Sequence, residues 1–95
     1  MHVVIRNYTA SPDVIAETKR NIEHLEQTMR GIPGFVAYYF IETADGLATV
    51  TVTDDETGTS ESMGRAANWI EQHTPNHSPG EPEVIEGHTL ISATR

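Results

Sequence analysis

The chain contains no cysteine. That absence excludes a disulfide, a thiolate nucleophile and any Cys-based zinc or iron–sulfur site. Basic residues are scarce: six Lys and Arg stand against fourteen Asp and Glu, a net charge of −8. Phosphate recognition needs clustered Lys and Arg, so neither nucleic acid nor an anionic membrane surface is expected as a partner. No apolar run approaches the length of a bilayer span, and the amino terminus enters a strand without a basic and apolar leader. A cytoplasmic location is the expectation. The signature loops are missing too: the sequence holds no GxSxG, GxGxxG, GxxxxGK[ST] or HExxH. His73 and His77 are four apart, but Pro75 between them breaks the helix that would align them, so no metal site is expected.

What is present is a pattern of elements. His2–Tyr8 reads as a first strand. Ser11-Pro12-Asp13 then starts a helix, with Ser as N-cap, Pro in the first turn and an early acid. Ile15, Ile22, Leu25 and Met29 mark one apolar stripe along that single helix, which Gly31 ends. The stretch from Phe35 to Ile41 is apolar or aromatic on both strand faces, so both faces call for burial. Asp45-Gly46 suits a tight hairpin with positive backbone dihedrals. Leu47–Thr53 alternates Thr and Val as the third strand. Asp54, Asp55 and Glu56 favour a helix N-terminus, and Met63, Ala66, Ala67 and Ile70 form a stripe of mostly small residues on a helix running to about Gln72. His73–Pro82 is a loop, and Glu83–Ala93 the last strand, where Gly87 suggests a bulge or close backbone approach. His2 and His88 meet if the first and last strands are neighbours.

The order is βαββαβ within one domain, residues 1–95. It predicts an α+β, ferredoxin-like fold: a four-stranded antiparallel sheet with two helices on one face. The uncovered face then needs a second subunit, and two sheets face to face close a barrel of C2 symmetry.

With Pro33-Gly34-Phe35 opening the second strand and Ala66-Ala67-Asn68-Trp69-Ile70 on the second long helix, the chain resembles the dimeric α+β barrel superfamily. Within it, the chain looks like an antibiotic-biosynthesis-monooxygenase-type (ABM-like) domain. That resemblance implies a homodimer with a pocket for a small hydrophobic or aromatic molecule in each subunit. It is compatible with a cofactor-independent monooxygenase, with a non-catalytic ligand-binding or stress-response module, and with a haem-binding or haem-degrading protein.

Candidate site residues divide accordingly. If Val3 and Ile5 point at the helices, so does Asn7, and an apolar chamber bounded by Asn7, Trp69 and His73 is the expected catalytic site. Arg6, Tyr8, Tyr39, Asn68 and His77 are expected to bind ligand, and Tyr38 offers a further phenol. A cofactor-free oxygenase needs only to exclude water, orient a ring that supplies its own electrons, and assist proton transfer. No cofactor is therefore required. For haem, the resemblance implies Asn7, Trp69 and either His73 or His77, with Arg6 and Arg65 the cations left for the propionates.

Overall fold

The structure, a computed structural model, describes residues 1–73 and 82–95; a few α-helical side chains, that of His73 among them, lie outside the description. Strand β1 (His2–Thr9) occupies the middle of a four-stranded antiparallel sheet. It pairs on one side with β3 (Gly46–Thr53) and on the other with β4 (Glu83–His88); β2 (Phe35–Glu42) completes the order β2-β3-β1-β4. Helices α1 (Pro12–Arg20), α2 (Ile22–Arg30) and α3 (Glu56–His73) pack on one face. The ferredoxin-like α+β architecture is as expected, with one helix more.

The extra helix comes from a break at Asn21. Its side-chain amide donates to the Glu17 carbonyl at 2.9 Å, and its backbone N–H turns back to Thr18. Asn competes in this way for the carbonyls that a continuing helix needs. The break also rotates the buried stripe. Val14, Thr18, Leu25 and Met29 face inward, whereas Ile15 is half-buried and Ile22 exposed, contrary to the stripe read from sequence. Ser11 caps α1 as expected, and Asp55 caps α3 by accepting from the backbone of Thr57 and Gly58.

Three strand expectations need correction. β4 stops at His88; of the five residues expected to continue it, Thr89 is half-buried and donates its N–H to the Met1 carbonyl, and the other four are exposed. Gly87 is neither bulged nor crowded; the bulge lies in β2, between Phe35 and Ala37. The Asp45-Gly46 turn uses no positive φ, and the positive φ among the described residues is at Gly34, where the chain enters β2. His2 and His88 are cross-strand partners.

The covered side of the sheet mixes apolar residues with several buried polar ones. Toward the helices β3 presents Thr49, Thr51 and Thr53, all buried, and β1 presents Val4, Arg6 and Tyr8. The opposite, open face carries Val3, Ile5, Val50 and Val52, with the row Tyr39–Val50–Ile5–Ile85 running across all four strands. Alternation places the β-branched apolar set outward and the hydroxyls inward. The core proper is Leu25, Met29, Ile32 and Trp69, packed against Phe35, Tyr38 and Phe40.

Candidate functional site

Between sheet and helices lies a small cavity of about 20 Å³. Its walls include Tyr8 and Thr49 from the central strands, Tyr38 and Phe40 from β2, and Leu25 and Trp69 from α2 and α3. That volume takes about one water molecule. Leu25, Tyr38 and Phe40 also line an outer cleft at the α2–β2 edge, so these three side chains separate the cavity from solvent.

Trp69 is 3% exposed and built into the core. Its indole N–H donates to Nδ1 of His24 at 2.8 Å, and the two rings stack at 25°. Accepting at Nδ1 places the imidazole proton on Nε2, and the polar edge of the indole is turned toward α2. His24 escaped the sequence reading because it lies on the wet side of its helix; only the contact with Trp69 singles it out.

Arg6, whose register partner Thr49 lines the cavity, is 2% exposed. Its Nη2 donates to Ser62 Oγ on α3 at 3.2 Å, while Nη1 has no hydrogen-bond partner among the described residues. The hydroxyls of Thr49, its register partner on β3, and of Thr51 are likewise buried without one. Burial pushes the Arg6 guanidinium below its ordinary range, partly offset by the nearby Tyr8, Tyr38 and Glu86. The same burial pushes the Tyr38 phenol well up, with Tyr8 adding to the shift and Arg6 opposing it. Tyr8 is also raised by burial, against the pull of Arg6. Both phenols are therefore neutral hydrogen-bond donors at physiological pH.

The predicted site residues are thus divided. Arg6, Tyr8 and Trp69 come together in the interior, with Tyr38. Asn7 does not: Val4, Arg6 and Tyr8 take the inward positions of β1, so alternation turns Asn7 to the open face, where it is exposed. Tyr39 is 59% exposed on that same face. Asn68 is on the outer side of α3, lining a surface cleft with His24, Arg65 and Gln72. His73 ends α3 but its side chain, like all of His77, lies outside the described residues. Thr49, Thr51 and Ser62 were missed. A Thr/Val alternation signals two unlike faces but does not say which is inside.

The described residues do not fit a haem. The cavity is far smaller than a macrocycle, Trp69 fills the space beside it, and Arg65 is paired with Glu61 at 3.3 Å. Among the described residues no group of three His, Cys, Asp or Glu side chains is placed to hold a metal, and no helix is long and apolar enough to cross a membrane.

Arrangement and element order define the class: an α+β domain with the fold of the ABM-type proteins. Among solved structures, the chain is similar over its full length to the haem degrader MhuD of Mycobacterium tuberculosis, in a mutant bound to manganese protoporphyrin (TM-score 0.77, 14% identity, 100% of each chain). It is also similar to a Deinococcus radiodurans protein provisionally assigned as an antibiotic biosynthesis monooxygenase (TM-score 0.75, 11% identity, 100% of this chain and 98% of that one). A third is the ActVA-Orf6 monooxygenase of Streptomyces coelicolor, in complex with nanaomycin D (TM-score 0.61, 12% identity, 99% and 89%). No family model and no curated protein matches the sequence. At these identities the likeness is one of fold.

Proposed function

We propose that the chain is a cytoplasmic, homodimeric ABM-like protein that holds a small, planar aromatic molecule between sheet and helices and oxygenates it without a cofactor. The observation that carries this reading is the buried polar cluster beside an aromatic-walled cavity: Arg6 Nη1, Thr49 Oγ1 and Thr51 Oγ1, all without partners among the described residues. Buried polar groups are satisfied in nine cases of ten or more, so three on one sheet face, with Thr49 at the cavity wall, call for a guest. The likeness in fold to proteins named as monooxygenases supports the reaction class. In that chemistry a deprotonated phenol or anthrone gives its own electrons to dioxygen: a ring methylene becomes a carbonyl, one oxygen atom is retained, and the other leaves as water with the two hydrogens. The protein's part is to exclude water, orient the ring and assist proton transfer.

The dimer rests on the open face. The accessible surface is 6204 Å², against roughly 5,400 Å² for a compact monomer of this mass. The open face, with Ile5, Tyr39 and Ile85 exposed in one row, is the surface that a second copy would cover.

A second reading has its own observation. The cavity as it stands holds about one water and Trp69 is packed as core, which favours a non-catalytic binding module whose ligand opens the site. One titration separates the two. Trp69 is the only tryptophan and lines the cavity, so its fluorescence reports on occupancy. Saturable quenching by a planar phenol with phenol-dependent oxygen uptake supports the oxygenase. Quenching without uptake supports the module, and no saturable response to any planar phenol rejects both.

A further inference from the structure

The basic side chains of this acidic chain mostly find acids: Lys19 pairs with Glu42, Arg20 with Glu17, Arg30 with Glu26 and Arg65 with Glu61. Those four pairs are solvent-accessible. Arg6 is the cation placed inside, and among the described residues no carboxylate is ion-paired with it. Its hydrogen bond goes to a neutral hydroxyl, Ser62. The groups that face it are neutral as well: the phenols of Tyr8 and Tyr38, and across the β1–β3 register Thr49, with Thr51 two residues along on the same face. Glu86 of β4 acts on it only through its charge, without a salt bridge. A buried guanidinium without a counterion is among the costliest arrangements a small domain can hold. Here the missing partner has a defined place, because Nη1 and the hydroxyls of Thr49 and Thr51 are unused on the same sheet face, Arg6 and Thr49 are register partners, and Thr49 lines the cavity.

We infer that this cluster is an oxyanion subsite: the molecule held between sheet and helices carries one ionised oxygen group, a carboxylate or a phenolate, received by Arg6 Nη1 and the hydroxyls of Thr49 and Thr51. The inference rests on the small-molecule reading above and names the chemistry of the ligand. A guanidinium donates in a planar fork suited to such a group, and the hydroxyls rotate to donate to it. A single cation limits the charge that can enter. The chain's net −8, with Glu23 and Glu26 on the cleft outside Leu25, Tyr38 and Phe40, disfavours phosphates and nucleotides. For a phenol, docking against Arg6 favours ionisation: the O–H bond gives its electron pair to oxygen and its proton to solvent. The ring itself is accommodated by displacement of the three side chains that separate cavity from cleft.

The test uses three probes on the intact protein: 4-nitrophenol, whose phenolate is seen by absorbance, benzoate, and its neutral isostere benzamide. The expected result is an apparent pKa of bound 4-nitrophenol lowered by about one unit or more, or benzoate bound about tenfold or more tighter than benzamide. A shift with 4-nitrophenol alone assigns the natural group as a phenolate, and a preference for benzoate alone assigns it as a carboxylate. Either signature should vanish in Arg6→Gln. Should that variant fail to fold, the double variant Thr49→Val, Thr51→Val serves instead, reducing the preference for the anion while benzamide binding is retained. Equal binding of benzoate and benzamide with unshifted 4-nitrophenol leaves the pocket standing and overturns the oxyanion subsite. Binding of none of the three overturns both, the cluster then being hydrated.

Discussion

Two threonines carry the sharpest consequences at the scale of single residues. Thr51 is fully buried and its hydroxyl has no described partner, so Thr51→Val should stabilise the ligand-free protein by about 1 kcal/mol, a buried unpaired hydroxyl being replaced by a methyl of like shape. Urea melts of the two proteins check this, and a loss of stability would mean that the hydroxyl is satisfied. Tyr38 governs the alkaline side. Its folded-state pKa is raised by burial above the ordinary tyrosine value of 10.0, so the folded state keeps the proton that the unfolded chain gives up. Stability is therefore complete below about pH 10 and lost as pH rises beyond it. Tyr38→Phe should retain more of its stability in that window, read as a higher alkaline unfolding midpoint. Tyr8, raised by the same cause, leaves the variant with part of the loss.

Of these residues the sequence revealed identities but not directions. Arg6 and Tyr8 were legible as candidates because their residue types suit the resembled family, whereas strand alternation sent Asn7 inward. The error lay in treating Val3 and Ile5 as the core set. Both faces of β1 are apolar enough to be buried, and only the helices, which cover Val4, decide between them. Nothing in the spacing of Thr49, Thr51 and Ser62 announces a polar interior, since they become neighbours of Arg6 only through strand register and the docking of α3.

At the scale of elements, starts were legible and interruptions were not. Ser11-Pro12 and Asp55 cap their helices through local chemistry that depends on a few adjacent residues. The break at Asn21 depends on one side-chain amide capturing a carbonyl, which a periodic stripe does not reveal. Gly58 shows the converse. In sequence it is a weak residue near the start of a helix; in the fold, a Cβ there would meet the Pro33 carbonyl oxygen at 2.5 Å and Thr53 Cβ at 2.8 Å. The glycine lets the first turn of α3 lie directly on the end of β3. Gly58→Ala should therefore destabilise by about 2 kcal/mol through overpacking, despite the better helix propensity of alanine. Thermal unfolding measures the difference, and a rise in Tm would mean that α3 stands further from the sheet than described.

At the scale of the whole molecule, the fold was readable from the order and length of its elements, and the doubly apolar β2 is what motivates the proposed partner. Ile5 lies at the centre of the outward row, flanked by Val50 and Ile85. Ile5→Glu should leave the subunit folded and yield monomers, because a carboxylate would be buried unpaired in the proposed interface. Light scattering at micromolar concentration reads the mass, and an unchanged dimer would place the interface elsewhere.

A sheet that turns Val3, Val50 and Val52 outward and Thr49, Thr51 and Thr53 inward has a consequence for abundance. If the proposed dimer seals the open face, a subunit draws part of its folding free energy from encounter, so dilution acts as a denaturant. The melting temperature then climbs with the logarithm of protein concentration. Subunits made slowly or in small numbers spend longer with a sticky face bare, open to capture by chaperones or to degradation. The quantity of this protein in a cell would thereby be held above a floor set by its own self-association constant.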